Sequence, residues 1–222
     1  MLREPKCTLD SLTGDDYVTV SDWLRPMALT SALTSDANEQ ITPEAIRAVN
    51  ESGQVRYFMV VTAAGDRVGV VNYRRSGGHG AYTIGGAIGD PARWNSGVGG
   101  EGLGLLVDHL FHQLNAHRVE FSTASYNKHT MSLLTKGGFV LEGILRDYHF
   151  LDGEYHDRTV WSLLREEFEA GARELSEQMP VVDLVPAKEK QRAKELLAKY
   201  LANQQDAAWL SFANRAARER PY

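Results

Sequence analysis

At 222 residues the chain is longer than a usual single domain and short for two, so one core domain with an appendage is expected. With 43% hydrophobic and 24% charged residues it can bury a substantial core, which excludes wholesale disorder. A net charge of −5 with no basic stripe argues against nucleic acid as the main partner. One cysteine excludes an internal disulfide and any cysteine-based metal cluster. No apolar run reaches the roughly 18 residues of a membrane span, and no apolar segment follows Met1 as in a secretory signal, so no membrane is expected and the cytoplasm is the expected compartment.

In chain order, residues 7–14 read as a poorly marked first strand. Residues 15–36 read as one or two short helices, with Trp23, Leu24, Met27 and Leu33 as apolar points and Pro26 as a breaker. Thr42-Pro43-Glu44 combines an N-cap with proline at the first helical position, and that helix stops near Ser52-Gly53. Val55–Ala63, Arg67–Arg74 and Ala81–Gly89 are rich in β-branched and aromatic residues. With turns at 64–66 and 76–80 they form an antiparallel meander. Gly85, Gly86 and Gly89 in the third strand suggest a bulge or a close approach of backbone to ligand.

A loop, 90–100, then feeds a helix of period 3.6, with Leu103, Leu106, Val107, Leu110, Phe111 and Leu114 as its stripe. Arg118–Thr123 is a short strand. Asn127–Lys136 is a helix stopped by Gly137-Gly138. Strands at 139–150 and 157–164 flank the turn Leu151-Asp152-Gly153-Glu154, and the core domain ends near residue 168. The segment 169–222 differs in character, with Pro180 and Pro186, a helix over Lys188–Ala202 and a further one suggested by Trp209, Leu210 and Phe212. It reads as a helical tail packed on its own core, then as a homodimer element, then as a lid or docking surface.

Gly97-Val98-Gly99-Gly100-Glu101-Gly102 satisfies G-x-G-x-x-G, the dinucleotide fingerprint. Its context differs: a polar loop with Pro91 and Trp94 precedes it, and the upstream strands are joined by hairpins rather than crossovers. What remains is converging backbone N–H groups at a helix N-terminus, which suit an anion such as a pyrophosphate.

Several runs, in order, resemble the GNAT N-acetyltransferases. Ile84-Gly85-Gly86-Ala87-Ile88-Gly89-Asp90-Pro91 followed by Trp94–Glu101 resembles the family's acyl-CoA loop. Asn127-Lys128-His129-Thr130, Lys136-Gly137-Gly138-Phe139 and Glu142-Gly143-Ile144-Leu145-Arg146 resemble its N-x-x-S/A, K-x-G-F and E-G-x-x-R. Leu151–Asp157 resembles its D/N-G-x-Y-x-D turn. That order is typical of the branch with the ribosomal-protein N-terminal (alanine) acetyltransferases, RimJ/RimL-like, and the resemblance covers roughly residues 8–168.

The resemblance implies an α/β (α+β) fold, a mixed and mostly antiparallel sheet flanked by helices. Residues 1–168 would form the acyltransferase domain and 169–222 a C-terminal helical extension. It implies acetyl-CoA or another acyl thioester as co-substrate, no metal, and direct attack by a primary amine in a ternary complex. An acyl group on an acyl carrier protein or on tRNA is the alternative donor, and a CoA-binding module without catalysis the second alternative. By resemblance, Ile88 and Gly89 offer backbone groups to the pantetheine. Asn95, Ser96, Gly97, Val98, Gly99 and Gly100 wrap the pyrophosphate, while Trp94 stands where the family has Gln or Arg. Asn127 bonds the pantetheine arm, and as an N-cap it has a structural role as well. Thr130 matches a serine that protonates the leaving thiolate. A tyrosine common further along this helix is replaced by Leu134.

The base is expected at His149, with Glu154, Tyr148 and Asp90 as fallbacks; Thr83 replaces another family glutamate. His109, His112 and His117 lack a carboxylate framework for metal, and Cys7 reads as a structural thiol. The acceptor, a small-molecule or peptide amine, would enter between 15–40 and 150–156. There Asp36, Glu39, Asp152 and Glu154 would suit a cation, beside Trp23 and Arg25.

Overall fold

Strand-forming composition is realised in seven strands: β1 (Cys7–Ser11), β2 (Arg56–Thr62), β3 (Arg67–Arg75), β4 (Ala81–Ile88), β5 (Arg118–Ala124), β6 (Val140–Leu151) and β7 (Glu154–Leu164). The helices are α1 (Gly14–Trp23), α2 (Leu29–Leu33), α3 (Pro43–Ser52), α4 (Val98–His112), α5 (Lys128–Lys136), α6 (Arg165–Ser176) and α7 (Ala187–Ala202). This computed structural model describes residues 5–34, 39–176 and 185–202. Asp36, Pro180 and the helix expected around Trp209, Leu210 and Phe212 lie outside the described residues.

The sheet order is β1-β2-β3-β4-β5-β7-β6. Every neighbouring pair is antiparallel except β4 and β5, so the sheet is mixed and mostly antiparallel, as expected. Helices cover both faces. On one, Leu103, Leu106, Leu110 and Phe111 of α4 and Leu134 of α5 pack with Val60, Val71, Val119 and Phe121. On the other, Tyr17 and Val20 of α1 and Ile46 of α3 pack with Met59, Val61 and Val70. The alternation of buried neighbours along β2 and β3 puts successive residues on opposite faces. Thr42 caps α3 by accepting from Ala45 N–H at 3.2 Å, and Gly53 ends it at φ 77°, as its sequence signals predict.

Three boundaries differ from the sequence reading. The α4 helix starts at Val98 and ends at His112, because Gly97 is its N-cap and Leu114 N–H turns back to His109 O. The last strand begins at Glu154, immediately after the turn. A helix, α6, follows it directly. Phe168 of α6 stacks on Phe111 at 4.4 Å, a contact from an amphipathic pattern that the charged run Arg165-Glu166-Glu167 obscures. The chain divides into two compact units, Met1–Ala172 and Arg173–Tyr222. Among the described residues no helix is long and apolar enough to cross a membrane, and no three His, Cys, Asp or Glu side chains gather as a metal site.

Candidate active site

The parallel pairing of β4 with β5 covers only Ala81–Thr83 against Arg118–Glu120. Beyond that point the two strands part, and a cleft opens through the sheet. The Gly89 N–H bonds Val68 O of β3 at 2.9 Å. Strand alternation therefore turns the backbone groups of Gly86 and Ile88 away from β3, toward the gap. These groups have no strand partner on that side; Ile88 O accepts from Trp94 Nε1, and a bound amide chain can satisfy the others.

Two cavities meet in the cleft. The first, about 510 Å³, lies on the α4 face and is lined by Gly86, Ile88, Trp94, Asn95, Gly97, Gly99 and Gly100, with Asn127, Thr130 and others from α5. The second, about 270 Å³, is lined by Tyr57, Asn72, Arg74, Thr83, Gly85, Ser122 and Arg158 among others. Gly86, Ala87, Phe121 and Thr130 line both, so a molecule in one can reach a molecule in the other.

At the outer end of the first cavity, Gly97 caps α4 with φ 82°, a conformation that favours glycine. The first-turn N–H groups of the helix have no intrahelical partners and point outward with the positive end of its dipole. Lys6 clamps this loop: its Nζ donates to Ser96 O at 2.6 Å and its backbone N–H to Glu101 Oε1 at 2.5 Å. Trp94 Nε1 donates to Ile88 O at 2.9 Å, so the tryptophan ties the loop to β4. Its ring also meets His129 at 5.3 Å.

Of the expected binding residues, Ile88, Asn95, Gly97, Gly99, Gly100 and Asn127 line the first cavity. Gly89, Ser96 and Val98 do not. The Gly89 backbone is used by Val68 O and, at its carbonyl, by Thr30 Oγ1 at 3.1 Å, while the Trp23 ring lies against its Cα. Ser96 Oγ donates to Arg93 O, and Val98 is buried in the core. Gly86, one of the strand glycines that suggested a close backbone approach, also lines the cavity, as do Ala87, Lys128, His129 and Lys136, which were not expected. His129 and Lys136 are seven apart on one helix and therefore share a face, a signal available in the sequence.

Asn127 accepts from Thr130 N–H at 3.1 Å as the N-cap of α5, and its Nδ2 donates to Leu33 O at 2.8 Å, holding α2 beside α5. Thr130 stands where the cavities join. Leu134, at the place of the family tyrosine, is fully buried in the core. His149 lines neither cavity. It lies beyond the irregularity between Leu145 and His149 in β6, is 6% exposed and packs edge-on against Tyr148. The break in register at Asp147, φ 52°, is what aims it inward, and no spacing rule reports that.

Of the segments expected around the acceptor, 15–40 gives Leu24, Leu33 and Thr34 to the lining of the second cavity and 150–156 gives none. Glu39, Asp152 and Glu154 are absent from its lining, and so is every Asp and Glu among the described residues. Its titratable side chains are Tyr57, Arg74 and Arg158. Arg158 Nη1 donates to Tyr148 Oη at 3.0 Å and Nη2 to Ser122 Oγ, and the guanidinium sits 4.9 Å from the Tyr148 ring centre.

The E-G-x-x-R glutamate has a structural role. Glu142 accepts two hydrogen bonds from Arg118 and one from Ser162 Oγ at 2.8 Å, joining β5, β6 and β7. Arg118 thereby holds the Glu142 carboxyl down at about 2, and the pair raises the Arg118 guanidinium in turn. Burial works against ionisation of Asp16, but hydrogen bonds from Arg67 and Thr13 outweigh it and leave that carboxyl below its ordinary value.

A family model for the acetyltransferase (GNAT) domain matches residues 6–140. The chain belongs to that family. It is 32% identical over 116 residues, 51% of this chain, to a probable N-acetyltransferase, YjcK, of Bacillus subtilis (strain 168). It is 35% identical over 75 residues, 34% of this chain, to an uncharacterized N-acetyltransferase, p20, of Bacillus licheniformis. The matches span 64% and 42% of those relatives. Among solved structures, the spermidine N-acetyltransferase of Vibrio cholerae in complex with CoA and spermine shares the fold at TM-score 0.65 and 20% identity, over 74% of this chain and 98% of that one. A GNAT-family acetyltransferase of Bacillus anthracis does so at TM-score 0.60 and 17% identity, over 74% and 98%.

Proposed function

We propose that this chain moves an acetyl or other acyl group from a CoA thioester to a primary amine, by direct attack in a ternary complex. The observation that carries this reading is the cleft between β4 and β5, whose two cavities meet at Gly86, Ala87, Phe121 and Thr130. The pyrophosphate of CoA sits at the α4 N-terminus beside Gly97, Gly99 and Gly100, and its remaining phosphate is within the reach of Lys128, His129 and Lys136. The two lysines favour a nucleotide-bearing donor over a carrier protein, whose phosphopantetheine arm lacks that additional phosphate. The pantetheine lies along Gly86 and Ile88, as the amide chain of the CoA bound by the Vibrio cholerae enzyme could in the same fold.

The amine attacks the thioester carbonyl from the second cavity, and the C–N bond forms. A backbone N–H at Ile88 or Gly86 receives the oxyanion. The C–S bond then breaks, with the Thr130 hydroxyl donating to the departing sulfur. The His149 position supports a packing role instead of base catalysis, and the amine enters already neutral, giving its second proton to solvent after attack. Motif order supports the RimJ/RimL-like branch. The exposed apolar side chains Ile144, Leu145 and Phe150 on edge strand β6 support a homodimer formed along that edge. A lone buried cysteine suits a reducing compartment, the cytoplasm.

Calorimetric titration with acetyl-CoA, with CoA and NADH as controls, tests the donor site. Micromolar binding of the CoA species alone is expected, followed by thiol release on adding an amine acceptor. A folded protein that binds no CoA would overturn the proposal.

A further inference from the structure

We infer that the second cavity selects an acceptor amine that also carries a carboxylate, held by Arg74 and Arg158. The inference rests on the acyltransferase reading and specifies its acceptor.

The two arginines come from distant strands to one face. On β3, Asn72 and Arg74 share a face and stand opposite Gly85 and Thr83 of β4. On β7, Arg158 stands opposite Ala124 of β5, next to Val160, which pairs with Ser122. Its side chain reaches diagonally to Ser122 Oγ. Both guanidiniums line the second cavity together with Asn72, Ser122 and Thr83.

Neither has a carboxylate partner among the described residues, whereas Arg67, Arg93, Arg118 and Arg165 each have one. The carboxylate nearest in register, Glu120 opposite Thr83, is taken by Arg118 at 2.9 Å. Arg158 is oriented by two neutral oxygens, of Tyr148 and Ser122, which leave one N–H on each terminal nitrogen, and its buried Nε has no hydrogen-bond partner. A half-buried guanidinium without a counter-charge is costly, and a ligand carboxylate removes that cost with a two-pronged hydrogen bond. Asn72, whose amide lies 3.3 Å from where a Gly85 Cβ would stand, adds a neutral donor over the cavity floor.

The same two positive charges have a second effect. They disfavour an ammonium ion in the cavity and so favour the neutral, nucleophilic form of the acceptor amine. With no Asp or Glu among the described residues of its lining, a cavity with that field draws its ligand by the ligand's carboxylate and rejects polycations.

The test uses the full chain with acetyl-CoA, following thiol release with the common amino acids, their methyl esters, phosphoethanolamine and spermidine. The expected result is a kcat/KM for at least one amino acid ten or more times that of its ester, and none measurable for spermidine. Arg74→Gln, at an exposed position, is expected to bring the acid-to-ester ratio close to one, with Arg74→Lys restoring part of it. Arg158→Gln, checked for an unchanged melting transition, should do the same. Preference for the ester or for spermidine, or failure of every acid in a protein that binds CoA, would overturn the inference and leave the donor site standing. Phosphoethanolamine above all acids would move the anion from carboxylate to phosphate and overturn the carboxylate assignment. A protein that binds no CoA would remove the acyltransferase reading and this inference with it.

Discussion

Substituting Glu142 by Gln removes the charge from the brace that ties β6 to β5 and β7. In the native protein Glu142 accepts from Arg118 and Ser162, and its carboxyl falls from 4.5 to about 2. In a dry site such a displacement would be worth several kcal/mol. The Glu142 side chain is 39% exposed, and screening by water brings the expected contribution to about 1 kcal/mol at neutral pH. Because the native carboxyl is the stronger acid, the unfolded chain binds more protons between the two values. The contribution is complete above about pH 5 and is lost as pH falls through 4.5 toward 2. Urea denaturation of wild type and Glu142→Gln at a series of pH values reads this directly. The stability gap should be steady from pH 7 to about pH 5.5 and shrink by pH 4. A gap independent of pH, or none at pH 7, would refute the assignment of Glu142 to the brace.

Three further outcomes follow from the geometry. Gly97→Ala places a side chain at φ 82° and 2.6 Å from Lys6 Nζ, so it should cost about 1–2 kcal/mol in urea denaturation and weaken CoA binding by calorimetry; an unchanged affinity would detach the loop from the donor site. Gly85→Val adds methyl groups where the Asn72 amide already approaches to 3.3 Å, and should lower kcat/KM for the acceptor at least tenfold with the CoA dissociation constant held. Equal loss at both sites would refute the division into two cavities. Thr130→Val should lower kcat by about a hundredfold with little change in the KM for acetyl-CoA, and an unaltered kcat would exclude its hydroxyl from the leaving-group step.

The local signals in the chain were strong enough to define most elements without the tertiary structure. Thr42-Pro43 and Gly53 bracket α3 because capping and left-handed termination depend on a few adjacent residues. The glycines at 97, 99 and 100 pointed to an anion site at a helix N-terminus, and the structure puts all three in the lining of the first cavity at the start of α4. Asn127 was legible as a cap because capping is equally local. Direction and assembly were not legible. Gly89 looked like a ligand-facing residue, yet strand alternation turns its backbone to Val68 and Thr30, and the one-residue parity is set by pairing with β3. His149 was expected as the base; beyond the break in β6 register it is buried beside Tyr148 and lines neither cavity. Arg74 and Arg158 are 84 positions apart in an unremarkable background of charges, and nothing local joins them. Only the order β3-β4-β5-β7, with β4 and β5 parting after Thr83, brings both guanidiniums to one cavity and keeps carboxylates from its described lining. Caps, turns and periodicity are short-range and belong to the sequence; the charge of a cavity is a sum over strands that only the assembled sheet makes neighbours.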